Sequence, residues 1–153
     1  MKRLVILVSA ILSILLSGTD SRSQTNTYLF EFQKSGHGAQ SIIFIPGFSC
    51  SGEVWNETRS KYEANFTCYT LTMAGFATAK PQPGVTFDNW KSSIANFIKS
   101  GKIDKPILVG HSMGGALALA IAADHPDLID RIVVVDALPC LAALMTPDFR
   151  SKE

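Results

Sequence analysis

The chain has 153 residues, enough for one domain with a buried core. Hydrophobic residues make up 46% and charged residues 18%, a balance that excludes a disordered polyelectrolyte. The formal charge is +1, and no basic run or basic helix face is present, which excludes an electrostatic footprint for nucleic acid.

The first segment reads as an export signal. Lys2 and Arg3 form a charged start, residues 4–16 an apolar run too short to span a bilayer comfortably, and Ser21-Arg22-Ser23 a small-residue cleavage point before Gln24. An uncleaved anchor is the alternative. No cysteine follows the apolar run, so a bacterial-type lipid anchor lacks its attachment residue. Residues 1–23 are therefore expected to be a signal peptide and residues 24–153 the domain, exported to the periplasm or medium, with no stable membrane span after cleavage. Removing Lys2, Arg3, Arg22 and Asp20 leaves 11 basic against 12 acidic residues, a net charge of −1.

Residues 28–33 alternate apolar and polar, as a half-exposed strand does, and Ser35-Gly36-His37-Gly38 breaks it. Residues 41–46 (Ser-Ile-Ile-Phe-Ile-Pro) are apolar without alternation, the pattern of a strand covered on both faces. After a loop at 47–52, residues 54–64 suit a helix with Val54, Trp55, Thr58 and Tyr62 towards one side. Residues 66–72 are rich in strand formers and end before Ala74-Gly75. A Pro- and Gly-containing loop at 80–84 precedes Thr86, a candidate cap for a helix whose Phe87, Trp90, Ile94, Phe97 and Ile98 recur at helical spacing, as core residues do. Gly101 ends it. Residues 106–110 (Pro-Ile-Leu-Val-Gly) form another buried strand, residues 113–124 a helix apolar all round, and residues 131–136 a further covered strand.

Strands alternating with helices, apolar on both faces, predict an α/β fold with a mostly parallel sheet and helices on both sides. Of the three cysteines, Cys50, Cys68 and Cys140, at least one stays unpaired within the chain. A strand length of roughly 15 Å separates Cys50 from Cys68, too far for a bridge. No metal-ligand spacing and no Cys-x-x-Cys pair occurs, so neither a metal nor a cofactor is expected.

The most informative stretch is Gly110-His111-Ser112-Met113-Gly114-Gly115. Gly-x-Ser-x-Gly alone recurs by chance in about one chain of this length in twenty, so its weight comes from context. Here it joins a buried strand directly to a buried helix, the setting of a nucleophile elbow. A tight strand-to-helix turn lifts the Ser112 hydroxyl above the sheet, and bulk at Gly110 or Gly114 would collide across the turn. Unpaired amides at the helix start favour developing negative charge, which makes the Met113 N–H a candidate oxyanion donor. The loop after the first buried strand, Pro46-Gly47-Phe48, ends at the same edge of a parallel sheet, so the Phe48 N–H is the candidate second donor. The alternative is a Gly-Ser turn that merely joins two elements.

With Pro46-Gly47-Phe48 and Trp55, the Gly110–Gly115 segment, and Val133-Val134-Val135-Asp136, the chain resembles the α/β-hydrolase superfamily from roughly residue 28 to 144. Many members carry His-Gly where this chain has Pro46-Gly47; the backbone role survives that change. The resemblance implies a partial α/β-hydrolase fold, a serine hydrolase acting on a small-molecule ester, amide or related acyl bond, and a cap that begins near residue 138. It also implies an acid and then a histidine after the serine. Asp136 is the candidate acid, or else a cap for the loop leading to the lid. The three histidines, His37 in a turn, His111 pointing away from the elbow and His125 at a helix C-terminus, are poor candidates for the base. The expectation is therefore a truncated chain, nearly inactive alone, with its base beyond Glu153 and residues 131–136 left as a sheet edge. Rival readings are a non-catalytic binding protein on the same fold, and a haloperoxidase- or lyase-type member.

Overall fold

A computed structural model describes residues 28–138. The predicted signal peptide and nearly all of the predicted cap lie outside these residues, as does Cys140. Five strands form one sheet: β1 (Phe30–Ser35), β2 (Ser41–Ile45), β3 (Thr67–Met73), β4 (Ile107–His111) and β5 (Arg131–Val135). Their order across the sheet is β1-β3-β2-β4-β5. Only β1 runs antiparallel, against β3; the other pairs are parallel. The helices are α1 (Asn56–Tyr62), α2 (Phe87–Ser100) and α3 (Met113–Asp124). The architecture is thus α/β, a mostly parallel sheet with helices on both faces, as the sequence predicts.

β2 shows why alternation is absent from the sequence. Successive side chains of a strand point to opposite faces, and here both faces are filled. Ile43 and Ile45 join Leu71, Leu108, Ile94, Phe97, Leu117 and Ile121 under α2 and α3, while Ile42 and Phe44 meet Trp55 and Cys68 on the other side. The α2 stripe is laid down by a capping box: the Thr86 hydroxyl accepts from the Asn89 N–H, and the Asn89 side chain accepts from the Thr86 N–H. Ile94, Phe97 and Ile98 are buried and Trp90 half-buried, but Phe87 is exposed because it opens the helix at the rim of the sheet. At the far end of the sheet Phe97 receives Tyr28, Phe30 and Tyr69 edge-on, with centroids 5.1–5.5 Å apart.

Two expectations need correction. The predicted helix at 54–64 is a 3-10 turn, Gly52–Trp55, followed by the short α1, which buries none of its residues. Only Trp55 packs inward, its ring tilted against Phe44 at 5.3 Å, while Val54 and Tyr62 are exposed. The turn is held by the Gly52 N–H donating to Thr72 Oγ1 at 2.8 Å, a tertiary bond that local spacing cannot announce. Second, β5 is not covered on both faces among the described residues. Val133, Val134 and Val135 are all exposed, although Val134 faces Gly115 of α3, and the Trp55 side of the core reaches β4 through Ile107 and Val109 but includes no residue of β5.

Candidate active site

The carboxyl ends of β2, β4 and β5 bring the site together. Ser112 stands between β4 and α3 with φ 50° and ψ −117°. A non-glycine residue held there stores of order 1–3 kcal/mol unless its surroundings over-determine it. They do so here. The Ser112 N–H donates to the Val135 carbonyl at 3.0 Å, and its own carbonyl accepts from the Ala116 N–H at 3.1 Å as the first turn of α3. An N-terminal serine would ordinarily spend its hydroxyl capping the helix. Ser112 makes no side-chain cap bond, so among the described residues the hydroxyl is not committed to the helix start.

Gly110 and Gly114 are the positions where side chains do not fit. A Cβ on Gly110 would strike the Gly114 carbonyl, and one on Gly114 would strike the Ile45 carbonyl and come 2.6 Å from the Pro46 oxygen. α3 therefore starts pressed against the end of β2, and the elbow and the loop after β2 become neighbours. Gly47 completes the approach: a Cβ there would lie 2.9 Å from His111 Nδ1 and 3.4 Å from Ser112 Cβ.

That loop is a tight turn in which the Cys50 N–H donates to the Gly47 carbonyl at 3.2 Å and Ser49 takes φ 61°. Neither the Phe48 nor the Met113 N–H donates to a backbone carbonyl among the described residues. The Phe48 side chain is 69% exposed, resting edge-on against Phe76.

Asp136 follows β5 at φ 48° and is exposed. Because His111 pairs in register with Val135, Asp136 is level with Ser112 at the same edge. The histidines are placed apart from the hydroxyl. His37 is exposed near the opposite ends of the parallel strands, and His125 closes α3, its N–H donating to the Ile121 carbonyl at 2.8 Å. The His111 imidazole lies beside Gly47 of the loop after β2. Strand alternation gave no sign of this, since the glycine that makes room for the ring is 64 positions earlier. No hydrogen bond joins any of the three histidines to Ser112 among the described residues. Nor do three His, Cys, Asp or Glu side chains gather there into a metal-binding group. No helix among the described residues is long and apolar enough to cross a membrane.

A family profile described as the alpha/beta hydrolase fold matches residues 40–151, and the chain belongs to that family. The pimeloyl-[acyl-carrier protein] methyl ester esterase of Citrobacter koseri is 27% identical over 112 residues, which are 73% of this chain and 42% of that protein. The enzyme of that name from Salmonella heidelberg is 25% identical over the same shares. Among solved structures, a meta-cleavage product hydrolase superimposes with a TM-score of 0.64 and 28% identity, covering 72% of this chain and 42% of that one. A thermophilic esterase from Thermogutta terrifontis gives a TM-score of 0.65 at 24% identity over 71% and 40%, a likeness of fold. The chain thus spans about two fifths of the length of the curated relatives it matches.

Proposed function

We propose that this chain carries the nucleophile portion of a serine hydrolase acting on a small-molecule ester or a related acyl bond. The observation that carries the reading is the Ser112 hydroxyl, lifted by a positive-φ turn between β4 and α3 and not used as a helix cap. In this reading Ser112 Oγ attacks the carbonyl carbon and gives its proton to a base. The carbonyl π electrons move onto oxygen, which accepts hydrogen bonds from the Met113 and Phe48 N–H groups. Collapse expels the leaving group, and water then cleaves the acyl-serine and restores the hydroxyl. Removing one such donor typically costs about 10²–10³ in rate. The methyl ester esterases among the similar proteins support an ester as the target.

Asp136 is proposed as the acid that orients the base, on the strength of its place level with Ser112. The base itself is assigned to none of the chain's three histidines. The 58% of the Citrobacter koseri relative outside the match leaves room for one. Lacking a base costs a triad hydrolase about 10⁶ in turnover, roughly 8 kcal/mol of barrier. Residues 1–23 are proposed as a signal peptide, giving an exported protein that starts at Gln24; the N-terminal sequence of the secreted product tests this.

The decisive test supplies a base from solution. Incubation with a fluorophosphonate in the presence of free imidazole should modify Ser112, read by peptide mass spectrometry, and Ser112→Ala should abolish the adduct. Modification at another residue, or none at any imidazole concentration, rejects the nucleophile and favours a non-catalytic binding protein on this fold.

A further inference from the structure

The polar side of the β1–β3 ladder carries groups that neither the core nor the candidate active site uses. Glu31 pairs with Thr72 and Gln33 with Thr70, and alternate residues of a strand share a face. All four therefore stand on one face, opposite the side on which Phe32 and Leu71 join the core under α2. Cross-strand neighbours of this kind lie about 5 Å apart at Cβ. The 3-10 turn Gly52–Trp55 folds over this face, fastened by the Gly52 N–H donating to Thr72 Oγ1 at 2.8 Å. Ser51 and Glu53, at the start of that turn, line a cavity of about 110 Å³ together with the four ladder residues.

Two independent features of this cavity call for a ligand. Thr70 is 2% exposed, and its side chain, beneath Gly52, makes no hydrogen bond among the described residues. A buried hydroxyl without a partner is destabilising. Glu31 and Glu53, for their part, form no ion pair among the described residues. Lys34 cannot serve them, because its ammonium lies over the Tyr69 ring on the opposite face. A water would satisfy Thr70 but leave both charges without a counter-charge; a cation answers both needs. Two carboxylates, an amide carbonyl and three hydroxyls are hard oxygen donors, the set that takes calcium rather than a soft metal. The carboxylates fall short of a group of three acidic, His or Cys ligands, so neutral oxygens and water complete the shell of about six to eight. Magnesium, which demands near-ideal octahedral geometry, suits ligands on a surface turn less well. We propose that this cavity is a calcium site of modest affinity, held by Glu31, Glu53 and Thr70 Oγ1, with Gln33, Ser51 and Thr72 beside them. Bound there, the ion ties the turn that ends the loop after β2 to the β1–β3 ladder. Nothing in this depends on Ser112 being a nucleophile.

Calorimetric titration of the chain with calcium chloride, at an ionic strength held constant with sodium chloride, tests the site. One ion should bind with a Kd of about 10⁻⁴–10⁻³ M, the range of sites with few charged ligands. In about 10 mM calcium the Tm should rise by about 5 °C or more. Glu31→Gln and Glu53→Gln should each weaken binding at least about tenfold and Thr70→Val about fivefold. Glu57→Gln, on exposed α1, should leave it unchanged. Glu31 and Glu53 are exposed, so their substitutions preserve the fold and keep the test readable if Thr70→Val unfolds. No binding and no rise in Tm, a rise matched by sodium chloride alone, or affinity that survives loss of both carboxylates overturns the site. Undiminished affinity in a folded Thr70→Val overturns the buried hydroxyl as a ligand.

Discussion

Gly114→Ala probes the geometry that brings the two candidate oxyanion donors together. Gly114 has no positive φ, so alanine suits its backbone and, in a helix, gains about 1 kcal/mol over glycine. Against that gain stands a steric cost. The new methyl would strike the Ile45 carbonyl and crowd the Pro46 oxygen, both backbone atoms at the end of β2. No side-chain rotation relieves the clash. Forced overpacking of this kind costs about 1–3 kcal/mol and more where backbone must move. The net expectation is a loss of about 2 kcal/mol, or a fall of about 8 °C in Tm for a domain of this size. In urea the midpoint should drop by about 1–2 M. Gly84→Ala is the control, because nothing lies within 4 Å of its Cβ and only its φ of +69° resists, a cost of about 1 kcal/mol. A Gly114→Ala variant at or above native stability would show that α3 does not press on β2, and the neighbourhood of Ser112 and Phe48 would lose its structural basis.

Thr86→Ala should cost about 1 kcal/mol in urea unfolding and Thr86→Ser almost nothing, since either hydroxyl can cap α2. Lys91 joins the start of α2 to the end of α3, 3.1 Å from Asp88 and 2.6 Å from Asp124. Its hydrogen bond holds the Asp124 carboxyl below the ordinary carboxylate range. Stability from Asp124 is therefore present above about pH 4 and lost as pH falls through the lowered folded value, so Tm measured against pH should fall less steeply on the acid side in Lys91→Met. The same pair raises Lys91, so its share persists below the usual lysine range and fades only as pH rises through the raised value. Burial pushes the Cys68 thiol up, reinforced by Glu63 and opposed by Arg59. Peptide mapping after brief iodoacetamide treatment should find half-buried Cys50 alkylated well before Cys68, with Cys68 reacting only on unfolding.

What the sequence determined by itself were features encoded locally. Strand and helix periodicity located all five strands to within a residue or two. The Thr86 cap and the all-apolar run at 113–124 marked α2 and α3, the latter to the residue, because caps and amphipathic stripes are set by neighbours three or four positions apart. The Gly110–Gly114 spacing announced the strained turn at Ser112 for the same reason: the two glycines that must pass each other lie within one helical turn.

Only the tertiary structure decided the rest. The 3-10 turn at Gly52 depends on Thr72, the room for the His111 ring depends on Gly47, and the seat of the Phe48 ring depends on Phe76. Each of these partners is 20 or more positions away, and only the sheet order β1-β3-β2-β4-β5 brings them to one edge. The openness of Val133, Val134 and Val135 follows from that order as well, because β5 stands at its end and a strand's composition records its own apolarity but not how far the neighbouring layers extend. Periodicity reports what a residue needs; which residue meets that need is settled when distant segments pack.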